Sequence, residues 1–435
     1  MSEMPTPVEL LQHLIQFDTT NPPGNEAACI QYIRELLLTA GIESQTFEKI
    51  EGRPNLVARL KGSGQAAPLL LYGHVDVVTT ENQDWRHDPF SGEIADGYIW
   101  GRGVLDMKGG IAMLVSAFIR AKQNDLDLPG DVILCILSDE EAGGDNGAMF
   151  MADEHPELFE NVRYALGEFG GFTLYMGDKR FYPIMIAEKQ ICWLKATFRG
   201  DAGHGSMPIR GGALAKLGNF LTTLDKKRLP VHITPGVKAS VEAIAGELSG
   251  ATALILKQLL NPMLTDTILD VVGERLRVFD PLLHNTVSPS ILYGSNKVNV
   301  IPAEVSVELD GRLLPGYSPD DLIRELHQIA GQDVSIELIR HDPYPAEPDL
   351  SMYNLLSDTL KKADPEGYPV PLVLPGVTDG RHFSRLGIQT YGFLPMKLPP
   401  EFNFSASIHA ANERIPVETM EFGTQAIYSV LEKFQ

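Results

Sequence analysis

Two groups of acids and histidines dominate the chemistry available to this chain. The first is His74-Val75-Asp76 with Asp106; the second is the run Ser138-Asp139-Glu140-Glu141, and Glu168 and the late His409 complete the set. Imidazole with carboxylate is the ligand chemistry of a hydrolytic divalent-metal site, and the set exceeds the four positions of one tetrahedral ion, which points to two. A single histidine at a strand end is more often a hydrogen-bonded core residue. Asp76 alters that balance, because residues two apart on an extended segment face the same side and a carboxylate there can hold the second ring nitrogen of His74. Asp106 lies in the glycine-rich stretch Gly101-Arg-Gly-Val-Leu-Asp-Met-Lys-Gly-Gly110, which lacks the spacing of a phosphate-binding loop. Glu140 and Glu141 are adjacent acids that repel each other. They follow the apolar run Val132–Leu137, which favours a crevice over an open face, and a cation between them would relieve the repulsion. One could then bind metal while the other acts as general base on a water.

The elements that must position these residues are legible in outline. Val8–Phe17 and Asn25–Ala40 carry helical periodicity, with stops at Asn21-Pro-Pro-Gly24 and Gly41. Asn55–Leu60, Pro68–Tyr72 and Asp131–Leu137 read as buried strands, and Met107–Lys122 as a helix. Strands alternating with helices predict an α/β fold with a largely parallel sheet, in which ligands gather at the carboxyl ends of strands. His74 and Glu140/Glu141 stand at such ends. From about Gln190 the order becomes strand (Ile191–Arg199), helix (Gly211–Asp225), strand (Val305–Leu313), helix (Pro319–Ala330) and strand (Val334–Arg340), with Lys238–Arg277 as a partly helical addition. This predicts a separate α+β module at 190–342, inserted into a catalytic domain formed by 1–189 and 343–435. Leu350–Ala363 (helix), Tyr391–Leu394 (strand) and Val417–Lys433 (helix) are expected to complete the latter.

Bulk properties narrow the function classes. At 435 residues two domains are the natural expectation, and 44% hydrophobic with 21% charged residues describes a globular chain. A net charge of −21 leaves no basic stripe for nucleic acid. Three scattered cysteines build neither a disulfide framework nor a cysteine metal knuckle, and no run matches a secretory leader or a membrane span. The expectation is a cytoplasmic protein without membrane or nucleic-acid partners.

With these segments in view the chain resembles the zinc aminoacylase and carboxypeptidase family, which includes acetylornithine deacetylase, succinyl-diaminopimelate desuccinylase, carboxypeptidase G and the cytosolic dipeptidases. The resemblance spans nearly the whole chain. It is carried by Leu71-Tyr-Gly-His-Val-Asp-Val-Val78, the Gly101–Gly110 stretch, Ser138-Asp-Glu-Glu-Ala-Gly-Gly144, Gly203-His-Gly-Ser-Met-Pro208, Asn299-Val-Ile-Pro302, Asp310-Gly-Arg312, Gly376-Val-Thr-Asp-Gly-Arg381 and Ile408-His409. It implies two zinc ions per subunit, replaceable by cobalt or manganese. Asp106 would bridge them, His74 and Glu168 would complete one site, and Glu141 and His409 the other. Asp76 would orient His74, Glu140 would be the general base, and the peptide after Asp106 would be cis. Glu rather than Asp at 168 is the form associated with carboxypeptidases and deacylases. The inserted module would be ferredoxin-like and serve as dimerisation or lid domain of a homodimer, its His204 reaching the partner's site to stabilise the oxyanion. Asn299 and Arg312 would hold a substrate carboxylate, with Thr378, Arg381 and Lys189 as further substrate contacts.

Four features depart from the family pattern. Lys189 replaces an arginine of the desuccinylases, Ser405 replaces an asparagine, the Lys238–Arg277 stretch is long, and a glycine separates Asp310 from Arg312. The expected activity is hydrolysis of the amide bond of an N-acyl amino acid or small peptide with a free carboxylate. An aminopeptidase or dipeptidase, or a catalytically silent peptide-binding homologue, are the alternatives.

Overall fold

The computed structural model describes residues 4–331 and 333–435, the side chains of residues 274 and 275 apart. The chain forms two compact units. The first comprises the chain through Ile186 with Pro348–Leu372 and Thr378–Gln435; the second is Ala187–Glu347 with Val373–Val377.

Alternation along short apolar strands builds the first unit. In Leu69–His74, Leu69 and Leu71 enter one core while Leu70 and Tyr72 enter another; in Val132–Leu137, residues 132, 134 and 136 divide from 133, 135 and 137 in the same way. Both strands are buried throughout, as expected of strands covered on both faces. The helices Pro7–Ile15, Lys108–Gln123 and Val417–Leu431 fill one core with Leu10, Leu14, Leu114, Phe118, Met420 and Ile427. Ala148–Glu154 and Gly380–Ser384 fill the other with Met151 and Phe383. Burying a side chain such as Leu114 or Phe118 contributes about 1.5–3 kcal/mol. Thr6 opens the first helix with a capping box to Glu9.

Among the described residues the sheet has nine strands. Its centre runs Val132–Leu137, Leu69–His74, Tyr164–Gly167, Gln389–Gly392, all mutually parallel. Ser44–Glu48 and Pro54–Leu60 extend it antiparallel at one side. The mixed, largely parallel α/β architecture is the one expected. Ser44–Glu48, Tyr164–Gly167 and Gly367–Leu374 were not anticipated as strands. The first is mostly exposed and polar, the second is four residues long, and the third carries two prolines, so none presents a clear apolar alternation.

In the second unit Gln190–Arg199, Thr286–Tyr293, Glu304–Leu313 and Ser335–Asp342 form an antiparallel sheet, in the spatial order Thr286–Tyr293, Glu304–Leu313, Gln190–Arg199, Ser335–Asp342. Helices Ala213–Lys226 and Pro319–Ala330 bury Leu217, Phe220, Leu322 and Leu326 against Leu194, Phe198, Val307 and Leu309. The chain order is βαββαβ, as in ferredoxin-like units. The 238–277 stretch is helical in large part, with helices Pro235–Glu247, Gly250–Gln258 and Thr265–Val272. No helix among the described residues is long and apolar enough to cross a membrane. Cys29, Cys135 and Cys192 are buried and unpaired.

Candidate metal centre

Three neighbouring parallel strands deliver ligands from their carboxyl ends. His74 is the last residue of Leu69–His74, Glu140 and Glu141 follow Val132–Leu137 by a few residues, and Glu168 directly follows Tyr164–Gly167. Crevices at such strand ends are where α/β sheets bind ligands. Asp106 precedes the Lys108–Gln123 helix across a cis Asp106–Met107 peptide. The turn before it is tight: a Cβ at Gly109 would lie 2.1 Å from the Val104 carbonyl oxygen, so only glycine fits there. His409 arrives from the far end of the chain on a loop, at φ +60°.

These residues converge into two groups of three that share one member: His74, Asp106 and Glu168, and Asp106, Glu141 and His409. His74 Nε2 stands 3.3 Å from Asp106 Oδ1 and 3.6 Å from Glu168 Oε2. His409 Nε2 stands 3.2 Å from Asp106 Oδ2 and 3.3 Å from Glu141 Oε1. The two oxygens of Asp106 thus face different histidines. A tetrahedral ion with bonds of about 2.0–2.2 Å holds its ligands at edges of roughly 3.3–3.6 Å, which these separations match. His74 Nε2 and Glu141 Oε1 are buried without a hydrogen-bond partner, although unpartnered buried polar atoms are costly. A divalent cation in each group would satisfy them, so the donor set fits two ions bridged by Asp106.

The supporting contacts fix the ligands' chemistry. His74 Nδ1 faces two acceptors, the Asp76 carbonyl oxygen at 3.0 Å and Asp76 Oδ1 at 3.4 Å, so the proton belongs on Nδ1 and the Nε2 lone pair points to the centre. Asp76 is fully buried and accepts from the backbone N–H of Glu140, the N–H of Glu141 and Asn21 Nδ2. Burial pushes the Asp76 carboxyl up; His74, Asn21 and the Glu141 N–H together outweigh it and hold the group below the usual carboxylate range. Without metal, burial would lower the His74 pKa, yet Asp106, Asp76 and Glu168 keep it well above the usual histidine value. His409 is raised to about 10 by Asp106 and Glu141. Burial, with Asp106 and Glu141 close by, raises Glu168 to about 7 despite His74. Such a field of crowded carboxylates and charged imidazoles is what a pair of cations would replace. No hydrogen bond or ion pair among the described residues holds the Glu140 carboxylate, whose charged neighbours are Glu168, His74, Asp379 and Glu141.

The remaining expected residues fall in different settings. In the second unit, exposed His204 accepts the Ser206 backbone N–H at Nδ1, which assigns its proton to Nε2. Its strand pairs with Val300–Ile301 and Gly205 N donates to the Asn299 carbonyl, so His204 and exposed Asn299 are neighbours. Arg312 is half-buried, its Nε and Nη2 donating to Asp310. Lys189 departs from expectation as a substrate contact. It is buried, and its three ammonium protons go to Pro281 O, His284 O and Thr286 Oγ1, which makes it a brace within the second unit. Thr378 and Arg381, in the first unit, are buried too. Thr378 Oγ1 accepts from Gly380 N, and Arg381 donates through Nη1 to the Thr378 carbonyl and through Nη2 to the Gly143 carbonyl.

Sequence reasoning gave no role to several residues built into the site. Asp379 is buried with neither carboxylate oxygen hydrogen-bonded, and burial raises it to about 7 even though Arg381 and His74 pull it down. Arg53 joins Glu26 to Asp139, and Asn21 joins Asp139 to Asp76. Glu413 and Arg102 form a buried pair beneath Asp106. Asp379, Asp139 and Arg102 sit in quoted motifs; Asn21, Glu26, Arg53 and Glu413 carry no local signal.

A carboxylate bridging two three-ligand groups, at the carboxyl edge of a largely parallel sheet, defines a dinuclear metallohydrolase. Residues 70–433 match the family described as Peptidase family M20/M25/M40, and the chain belongs to it, a family of hydrolases acting on amide bonds. It is 28% identical to probable carboxypeptidase S-like 2 of Dictyostelium discoideum, over 94% of this chain and 82% of that protein. It is 27% identical to N-fatty-acyl-amino acid synthase/hydrolase PM20D1 of Bos taurus, over 92% and 81%. The crystal structure of the M20 family metallo-carboxypeptidase Sso-CP2 from Sulfolobus solfataricus has the same fold, with a TM-score of 0.70 at 18% identity over 99% of each chain.

Proposed function

We propose that the chain is a dinuclear zinc amidohydrolase that cleaves N-acyl amino acids or small peptides with a free α-carboxylate. The observation that carries the reading is the division of the two Asp106 oxygens between His74 and His409. His74 and Glu168 would hold one ion, Glu141 and His409 the other, and cobalt or manganese suits the same ligands. A bound pair of divalent cations supplies Lewis-acid polarisation of the scissile carbonyl and acidifies water. Glu140, unengaged at the centre, takes the proton of the attacking water on a carboxylate oxygen and returns it to the leaving nitrogen. His204, with its proton on Nε2, is the oxyanion donor. Asn299, its neighbour, and Arg312, through the donors Asp310 leaves open, are the candidates for the substrate carboxylate.

His204 is exposed on the second unit, and the exposed strand residues Ile291, Leu292 and Tyr293 there support pairing of two copies into a homodimer through that unit. Three unpaired buried cysteines suit a reducing, cytoplasmic setting. The names of the relatives direct the substrate search to N-acyl amino acids, fatty-acyl ones included, and to peptides cleaved from the carboxyl end. The test is amine release from a panel of N-acetyl, N-succinyl and N-palmitoyl amino acids and dipeptides by zinc-reconstituted protein. Cleavage that demands a free carboxylate supports the proposal. Cleavage that demands a free amine moves the chain to the aminopeptidases, and zinc binding without any cleavage makes it a binding homologue.

A further inference from the structure

The two ligand groups are built on unequal supports. His74 and Glu168 ride on adjacent buried strands of the sheet centre. His409 has a side chain 49% exposed, on a loop that also places Asn412 at φ +63°. What fixes that loop is beneath it. Glu413, 1% exposed, accepts through Oε2 from Arg102 Nη1 at 2.7 Å and Gly103 N at 3.1 Å, and through Oε1 from Leu105 N at 2.8 Å and Asp106 N at 3.3 Å. One carboxylate therefore gathers the backbone of the turn that ends in the bridging ligand. Arg102, equally buried, turns its other donors toward the His409 loop: Nη1 to the Ala410 carbonyl and Nη2 to the His409 carbonyl, each at 3.2 Å. Gln83 closes the ring, accepting from Arg102 Nη2 at 2.8 Å and donating to the His409 carbonyl at 3.0 Å.

We infer that the buried Arg102–Glu413 pair, with Gln83, positions Asp106 Oδ2 and His409 against each other and so sets the affinity for the second cation, while the first depends on the sheet. Arg102, Glu413 and Gln83 are positioning residues: each acts through a ligand, and none reaches the centre itself. The geometry requires a charge at 413. Four donors converge on two carboxylate oxygens, and a glutamine there would aim its own N–H₂ at two of them. It would leave buried donors unpartnered in the segment that carries the bridging ligand. Loss of such outer partners typically weakens metal binding 10–100-fold.

This inference rests on the two-ion reading, and one experiment separates their fates. Metal-stripped protein is titrated with Zn²⁺ alone by calorimetry, with metal content after gel filtration as a second readout. Two equivalents in the unaltered chain uphold the two-ion reading; none, or one, removes it. Given two, Glu413→Gln is expected to weaken the second equivalent by about 10–100-fold and the first, which shares only Asp106 with that segment, by less. Equal weakening of both, or of neither, overturns the inference. Should Glu413→Gln fail to fold by circular dichroism, Gln83→Ala decides: it removes one bond to the His409 carbonyl and one to Arg102, and is expected to weaken only the second equivalent. Unchanged binding in Gln83→Ala would then count against the inference.

Discussion

Replacing Asp76 by asparagine changes one atom in a fully buried site, and the outcome follows from counting donors. Asp76 Oδ1 accepts the Glu140 N–H at 3.1 Å and faces His74 Nδ1 at 3.4 Å; Oδ2 accepts the Glu141 N–H at 3.1 Å and Asn21 Nδ2 at 2.8 Å. An asparagine that keeps its oxygen toward Glu140 and His74 turns its N–H₂ against two donors. Asn21 cannot relieve this by flipping, because its Nδ2 also donates to Asp139 Oδ1 at 3.2 Å and a flip would set oxygen against oxygen. Two buried donors lose their acceptor, at about 1–3 kcal/mol each, so the metal-free protein should lose about 2–6 kcal/mol. Against a typical stability of 5–15 kcal/mol the variant still folds, with a lower melting temperature. The lost Glu141 N–H contact places the backbone of a ligand in one group, and the lost Asn21 contact anchors the side chain that orients His74, a ligand in the other. Zinc affinity should therefore fall by about 10–100-fold at both sites, and turnover with it. Calorimetric zinc titration and thermal melting of the metal-free protein measure the two effects separately. A stability loss with zinc affinity intact would refute the argument, since Asp76 would then serve the fold and not the ligands.

Three further outcomes test the proposed chemistry. Glu140→Gln should bind two equivalents of zinc as tightly as the unaltered chain yet lose about 10²–10⁴ in turnover, and comparable activity in the variant would remove Glu140 as the base. His204→Ala should lower turnover on the order of 10²–10³ with metal content unchanged; normal rates on every cleaved substrate would show that the oxyanion is held elsewhere. In the metal-free protein Asp106 and Glu141 hold the His409 pKa at about 10, so across neutral pH a cation must displace a proton from Nε2. Apparent zinc affinity should accordingly rise from pH 6 to pH 9, with proton release visible as a buffer-dependent heat of binding; a flat profile would contradict that protonation.

The sequence made the centre's inner residues legible because their signals are local. A histidine and an aspartate two apart at the end of a buried strand, a glycine-rich turn with one acid, and adjacent acids after an apolar run each restrict where the side chains can go. Glu168 was different: its strand, Tyr164–Gly167, is too short to show alternation, and its place among the ligands came from the resemblance. Lys189 shows the opposite failure. A cation in a motif reads as a substrate contact until its donors are counted, and here two carbonyl oxygens and a hydroxyl take all three.

What stayed hidden is the burial of charge in pairs far apart along the chain. Asp139, Glu140 and Glu141 are three consecutive acids, yet one turns inward to Arg53, one is left unengaged, and one faces His409. No periodicity distinguishes them, because at a strand terminus neither the alternation of two nor the helical repeat applies. Arg102 and Glu413 meet across 311 positions of sequence. Each alone looks like a surface charge, and only their pairing makes burial affordable. The consequence is an asymmetry between the two parts of the site. Ligands carried by strand ends inherit their geometry from hydrophobic alternation, which sequence patterns reveal; ligands carried by loops need buried polar braces, which appear only once the chain is folded. Of the residues proposed to tune the loop-borne cation, Glu413 and Gln83 lie outside every quoted motif, and substitutions there should alter metal occupancy while each motif remains intact.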